Sequence, residues 1–257
     1  MNILVTSGGT TENIDSVRSI TNISTGKLGS LIAERFAAES NVEKIFYICS
    51  RKAFKPQTEK LETVYVTGVS SLESAVKEVT MKTDIDIIIH SMAVSDYRVK
   101  SVTSAANLAA LVYSNLGSIK ESEPEAAKTA LASMFGKAES LIHGDGKISS
   151  GVDDMILFME KTPKIISLFQ TLAPKATLTG FKLLNNVPRE TLIEKGFQIL
   201  IQNKCSFVLA NDLKDIKGER HTGYLIGRDK SCAMYETKTE IAGAIVRAAM
   251  LERKERI

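Results

Sequence analysis

Two polar loops near the start of the chain hold residue types suited to an anionic ligand. Ser7-Gly8-Gly9-Thr10 follows the apolar run Ile3-Leu4-Val5, and Asn22-Ile23-Ser24-Thr25-Gly26-Lys27-Leu28-Gly29 opens an apolar helical pattern. Glycine lets a ligand approach the backbone closely, and both helix-start N–H groups and lysine bind phosphate. Three later clusters are of the same kind: His90-Ser91-Met92-Ala93-Val94-Ser95-Asp96-Tyr97-Arg98, Gly180-Phe181-Lys182 and Ala210-Asn211-Asp212. Each is read as standing just past an apolar strand, and ligands of an open parallel sheet sit beyond the carboxyl ends of its strands. The chemistry on offer is nucleotide binding, with no reaction yet attached. The standard nucleotide motifs are absent. Gly26-Lys27 is followed by Leu28 rather than Ser or Thr, and Gly8-Gly9 lacks the Gly-x-Gly-x-x-Gly spacing. Tyr97 and Lys100 do not have the spacing of the dehydrogenase Tyr/Lys pair.

The elements that must position these clusters alternate. Residues 2–7, 43–49, 63–67, 84–90, 155–159, 176–181 and 206–210 read as strands, several of them apolar on both faces. Residues 27–38, 71–81, 164–172, 188–202 and 240–254 carry helical periodicity, the first with Leu28, Leu31, Ile32 and Phe36 on one face. This rhythm predicts an α/β fold: a three-layer, mostly parallel, Rossmann-like sheet with helices on both faces. Composition changes at about 103–145, where Ala, Ser, Glu and Lys dominate, and a helical insertion or flap is expected there. With no repeat and no linker, residues 1–257 read as a single domain carrying that insertion.

Bulk properties exclude several classes. The net charge is +3 and the basic residues are scattered, which argues against nucleic acid as a partner. No apolar run reaches the ~20 residues that span a bilayer, so no membrane partner is expected. Met1-Asn2-Ile3-Leu4-Val5 has no basic n-region, and a cytoplasmic location is the expectation. Cys49, Cys205 and Cys232 have no metal-type spacing and read as free thiols. His143 and His221 are isolated, so a histidine metal site is not expected.

Taken in order, the motifs resemble those of phosphopantothenoylcysteine synthetases. The resemblance runs through Thr6-Ser7-Gly8-Gly9-Thr10, Asp15-Ser16-Val17-Arg18, Thr21 to Gly29 and Ala93-Val94-Ser95-Asp96-Tyr97-Arg98. It continues through Lys147-Ile148-Ser149-Ser150, Glu160 to Ile165, Gly180-Phe181-Lys182-Leu183 and Ala210-Asn211-Asp212-Leu213. It covers nearly the whole chain and is to the stand-alone form, since no flavin-binding decarboxylase segment precedes Met1. The resemblance implies a ligase of coenzyme A biosynthesis that joins 4′-phosphopantothenate and L-cysteine through an acyl-nucleotide. It also implies CTP or ATP as cosubstrate, Mg²⁺, and a homodimer. Lys147-Ile148-Ser149-Ser150 stands where many bacterial members carry a lysine-rich cluster, and Lys182 where they carry alanine. ATP-using relatives share these departures, so both nucleotides stay open, with CTP favoured.

The site residues follow from the resemblance. Asn22 is expected to hydrogen-bond the acyl group, and Lys147 and Lys182 to neutralise the triphosphate. Gly8, Gly9, His90, Ser91 and Met92 are expected at the nucleotide, with Phe181 against the base and Pro163 at a helix start that binds phosphate. Asp96 is expected at the ribose or the metal, and Ala93, Arg98 and Asn211 at the substrate. Each has a bland rival: Asn22 as a turn residue, Asp96 as a turn cap, Lys147 as an exposed loop lysine, Lys182 as a snorkelling one. His90 could be a core histidine, and Asn211-Asp212 a turn pair. Two other classes stay in view: a nicotinamide-dependent short-chain-type oxidoreductase, and a non-catalytic nucleotide-binding module.

Overall fold

A computed structural model describes residues 1–120, 122–135, 137–138, 140–141, 146–218 and 220–255; His143 and part of the 103–145 insertion lie outside that set. In chain order the elements begin with β1 (Asn2–Ser7), β2 (Thr11–Asn13), β3 (Ser19–Thr21), α1 (Lys27–Ala37), β4 (Lys44–Cys49), β5 (Leu61–Tyr65), α2 (Val69–Lys82) and β6 (Ile87–His90). There follow β7 (Tyr97–Ser104), α3 (Ala105–Ser114), α4 (Leu116–Lys120), α5 (Pro124–Phe135), β8 (Met155–Lys161) and α6 (Ile165–Leu172). The chain continues with β9 (Thr177–Leu184), α7 (Arg189–Gln202), β10 (Phe207–Lys217), β11 (Arg220–Gly227), β12 (Cys232–Thr237) and α8 (Lys238–Glu255). They form two compact units: Met1–Thr10, Asn22–Val94 and Lys164–Ile257 make the first, Thr11–Thr21 and Ser95–Pro163 the second.

The first unit is an eight-stranded sheet in the order β12-β11-β10-β9-β6-β1-β4-β5. Strands β10, β9, β6, β1, β4 and β5 run parallel, and β11 and β12 extend the sheet antiparallel. Successive side chains on β1 serve opposite faces. Leu4 packs in the core shared with α2, α6 and α7, while Ile3 and Val5 pack in the core shared with α1 and α8. Covering both faces with helices is what makes the central strands continuously apolar. Helix α1 buries Gly29, Ile32, Ala33 and Phe36, the i, i+3, i+4, i+7 stripe of an amphipathic helix. This is the three-layer, mostly parallel sheet with helices on both faces that the βα rhythm predicts.

Strand ends differ from the expectation in instructive ways. Residues 61–65 rather than 63–67 form β5, because the strand is set by pairing Leu61 with Ile45 through Tyr65 with Cys49. Gly180-Phe181-Lys182 and Ala210-Asn211-Asp212 do not follow strands but lie inside β9 and β10, which pair from Thr179–Phe207 to Leu184–Asp212. Pro163 is not at the first position of α6; Lys164 is the N-cap and the helix begins at Ile165.

The second unit holds the β2–β3 hairpin and a two-stranded antiparallel ribbon, β7–β8, with α3, α4 and α5 between its strands. Residues 155–159 were expected to resume the main sheet; they pair instead with β7. Tyr97-Arg98-Val99 begins a polar–apolar alternation, but Lys100-Ser101 breaks it where the register with β8 shifts, so the strand is easily read as loop. Helix α3 is N-capped by Ser104, whose side chain accepts from the Asn107 N–H at 3.1 Å. The insertion does contain helices, and α3, α4 and α5 bury none of their residues.

Candidate active site

In the first unit the ends of β1 and β6 are stitched together by main-chain bonds. The Ala93 N–H donates to the Gly8 carbonyl at 2.9 Å, the Thr10 N–H to the Ala93 carbonyl at 3.0 Å, and the Asn22 N–H to the Thr10 carbonyl at 3.1 Å. Gly9 and Ala93 form a parallel bridge. Ser91 Oγ donates to the Thr6 carbonyl at 2.7 Å, and Ser7 Oγ to the Gly26 carbonyl at 3.0 Å. Gly26 is the N-cap of α1 with φ 72°, a left-handed turn that needs glycine. Sequence-predicted Gly8, Gly9, Asn22, Ser91 and Ala93 are thereby brought together at the carboxyl edge of the sheet. Asn22 itself is half-buried.

His90 ends β6 with its ring inside the core. Its Nδ1 is 2.8 Å from Thr6 Oγ1, and its ring meets Phe169 edge-on, centroids 5.4 Å apart. Burial pushes its pKa down to about 4, so the imidazole is neutral at physiological pH. Met92, next along, is buried in the α2, α6 and α7 core. Both side chains are thus enclosed within the first unit.

Strand β9 has two partners at its start and one at its end. It pairs with β6 only as far as Gly180 opposite His90, while its pairing with β10 continues to Leu184. Past the end of β6, the β6-facing edge of residues 181–184 has no strand partner among the described residues. Phe181 and Lys182, as strand neighbours, serve opposite faces. Phe181 packs against the α1 and α8 core, and Lys182 is half-buried. Asn211 is buried in β10 opposite Leu183. Asp212 is structural. Its carboxylate accepts the N–H groups of Asn186 and Val187, each at 2.9 Å, and of Lys214 at 3.0 Å. Burial works against its ionisation, but the three N–H bonds and Lys214 outweigh that and hold its pKa below the ordinary value.

Asp96, Arg98, Lys147 and Pro163 belong to the second unit. Asp96 is exposed, and its carbonyl accepts from the Thr162 N–H at 3.1 Å. Arg98 Nε donates to Glu160 at 2.7 Å, the residue directly opposite on β8. Lys147 is exposed on a loop, and Pro163 is exposed. Two residues without a predicted role prove well connected: Thr6, through His90, and Asp15. Arg18, with the Arg18 and Val17 N–H groups, keeps Asp15 ionised far below the usual carboxylate range. The three-residue spacing of Asp15 and Arg18 was the available signal, an Asx-turn pattern.

A family model described as the DNA/pantothenate metabolism flavoprotein C-terminal domain matches residues 1–107. The chain is 34% identical to the DNA/pantothenate metabolism flavoprotein of Streptococcus pneumoniae, whose crystal structure aligns with TM-score 0.79 over 98% of this chain and 99% of that one. It is 29% identical over 241 residues to the coenzyme A biosynthesis bifunctional protein CoaBC of Thermococcus kodakarensis, covering 93% of this chain and 48% of that protein. The chain thus spans about half the length of the curated relatives it matches. A Cab2 mutant in complex with phosphopantothenate-cysteine has the same fold, with TM-score 0.67 at 17% identity over 99% of this chain and 87% of that one. These likenesses do not favour an oxidoreductase or a non-catalytic module. With a 34% identical relative matched over almost its entire length, the chain belongs to the DNA/pantothenate metabolism flavoprotein C-terminal domain family, the phosphopantothenoylcysteine synthetase family that its motifs resemble.

Proposed function

We propose that the chain is a ligase that joins 4′-phosphopantothenate to L-cysteine through an acyl-nucleotide, a step of coenzyme A biosynthesis. The observation that supports this reading is the Gly8–Ala93–Thr10–Asn22 chain of main-chain bonds, which anchors the backbone of Asn22 beside the carboxyl ends of β1 and β6. Similarity to bifunctional coenzyme A biosynthesis proteins supports it.

The reaction must bring one anion onto another. A carboxylate oxygen attacks the α-phosphorus, a P–O bond forms, and pyrophosphate leaves. Lys147 and Lys182 offset the charge that builds on the phosphate oxygens. In the second step the cysteine amine attacks the acyl carbon. The C–N bond forms, the acyl C–O bond breaks, the nucleoside monophosphate leaves, and the amine proton goes to solvent. The Asn22 amide donates to the acyl oxygen as charge develops there, without adding a cation that would hold the anionic intermediate too tightly. His90, neutral and tied to Thr6, takes no proton. Main-chain groups of Gly8, Gly9, His90, Ser91 and Met92 border the nucleotide, with Phe181 at the base, Pro163 at the phosphates, and Ala93, Arg98 and Asn211 at the substrate.

Mg²⁺, when bound, supplies further neutralisation of the triphosphate. Among the described residues no three His, Cys, Asp or Glu side chains gather. Asp96, exposed in the second unit, would be the residue to hold such an ion, whose chemistry would be charge neutralisation. CTP is the nucleotide we favour, with ATP the alternative, and a homodimer is the assembly, to be checked by sedimentation.

The test is pyrophosphate release with CTP or ATP. Release that requires phosphopantothenate, followed by cysteine-dependent release of the monophosphate, is the expected result. Pyrophosphate that appears equally without phosphopantothenate, or not at all, overturns the reading. The ratio of kcat/KM for the two nucleotides decides between them.

A further inference from the structure

The second unit contains a buried carboxylate that the reaction outlined above does not use. Asp15 lies in the turn of the β2–β3 hairpin with its side chain 0% exposed. Its two oxygens have separate tasks. Oδ1 accepts the Val17 and Arg18 N–H groups at 2.8 and 2.7 Å and so closes the turn. Oδ2 accepts from Arg18 Nε at 2.9 Å, from Arg18 Nη2 at 2.6 Å, and from the Ile148 N–H at 3.1 Å. Arg18 Nη2 also donates to the Ile148 carbonyl at 2.9 Å. Both main-chain polar groups of Ile148 are thus held by one ion pair, and its side chain is 2% exposed. Lys147, bonded to that N–H through its own carbonyl carbon, is exposed.

We propose that Asp15 is a positioning residue which, with Arg18, clamps the Ile148 peptide and thereby fixes where Lys147 presents its charge to the triphosphate. This rests on the ligase reading of Lys147. A lysine stem is flexible, so an anchored backbone is what limits the volume its ammonium searches and lets it stabilise charge without reorganising.

Asp15→Asn separates the two tasks. The amide keeps one acceptor oxygen for the turn, while its NH₂ cannot accept from Arg18 or Ile148. Two readouts apply. Limited trypsin digestion of the full chain reports on the clamp, because Lys147–Ile148 is the bond whose N–H Asp15 holds. Cleavage there is expected to rise about tenfold, with other sites unchanged, as local opening governs the rate. Single-turnover acyl-nucleotide formation is expected to slow about tenfold, while transfer from preformed acyl-nucleotide to cysteine stays within about twofold. Arg18→Gln, which spares the turn, is expected to show the same selective pattern should Asp15→Asn fail to fold. Unchanged cleavage after Lys147 overturns the clamp. Raised cleavage with parental activation overturns the positioning role, as does an equal loss in both half-reactions, which marks a merely structural part. A parent that forms no acyl-nucleotide fails the ligase reading and the positioning role with it, while the digestion still decides the clamp.

Discussion

Gly9 approaches Asn22 so closely that a Cβ on Gly9 would lie 1.9 Å from the Asn22 carbonyl oxygen. The obstacle is backbone, not the tip of a flexible side chain, so Gly9→Ala forces the two loops apart. Overpacking of this kind costs about 1–3 kcal/mol. We expect a lower urea midpoint together with a loss of activity, because the loop displaced is the one carrying Asn22. Gly117→Ala is the control: nothing lies within 4 Å of its Cβ, and its midpoint should hold or rise slightly. A parental midpoint and parental activity for Gly9→Ala would contradict the approach.

Asn22→Asp tests the second half-reaction. The substitution keeps shape and replaces an N–H donor with an anion. Acyl-nucleotide should still form and accumulate, while its transfer to cysteine falls by roughly 10²–10³ in rate, the scale for one lost donor to a developing oxyanion. Quenched single-turnover samples resolve the two steps. Cysteine turnover at the parental rate would show that Asn22 does not handle the acyl group.

Lys182→Gln removes charge from a half-buried position on β9. A charge-assisted hydrogen bond is worth about 1.5–3 kcal/mol, so kcat/KM for the nucleotide should fall on the order of tenfold or more. The KM for cysteine should not move. If both change together, or neither does, Lys182 is a snorkelling lysine whose stem covers the sheet.

Stability should depend on acid in a defined window. Burial holds His90 and His221 near a pKa of about 4, against 6.5 as the ordinary value. Between those limits the unfolded chain binds protons that the folded chain refuses, so stability falls as pH drops from 6.5 towards 4 and is complete above 6.5. For His90 the loss between pH 7 and pH 4 is about 3 kcal/mol. Denaturation of His90→Gln over the same range should be shallower by about that amount. An equally steep loss in that variant would place the acid sensitivity elsewhere.

Much of the architecture was legible. Strand residues 2–7 and helix residues 27–38 announced themselves by period, because a strand covered on both faces is apolar throughout and a helix covered on one is apolar at every third or fourth residue. The strands of the antiparallel hairpin, β2 and β3, of the sheet extension, β11 and β12, and the ribbon strand β7 were not read. β2 is wholly polar and the others mix polar and apolar residues, so each takes its identity from the partner it pairs with.

The same division runs through the candidate site. Sequence alone determined its parts: glycines where backbone must approach backbone, Asn22 before α1, and a family whose motifs stand in order along the chain. Those are properties of residue type and spacing. Tertiary structure decided that Gly180-Phe181-Lys182 is strand rather than loop, since β10 goes on pairing with β9 after β6 has stopped at His90. It also decided that Asp15 holds Ile148, 133 residues away. A strand ends where its neighbour ends, and a carboxylate's partner is whatever the fold brings within about 3 Å. Neither is a local property of the chain.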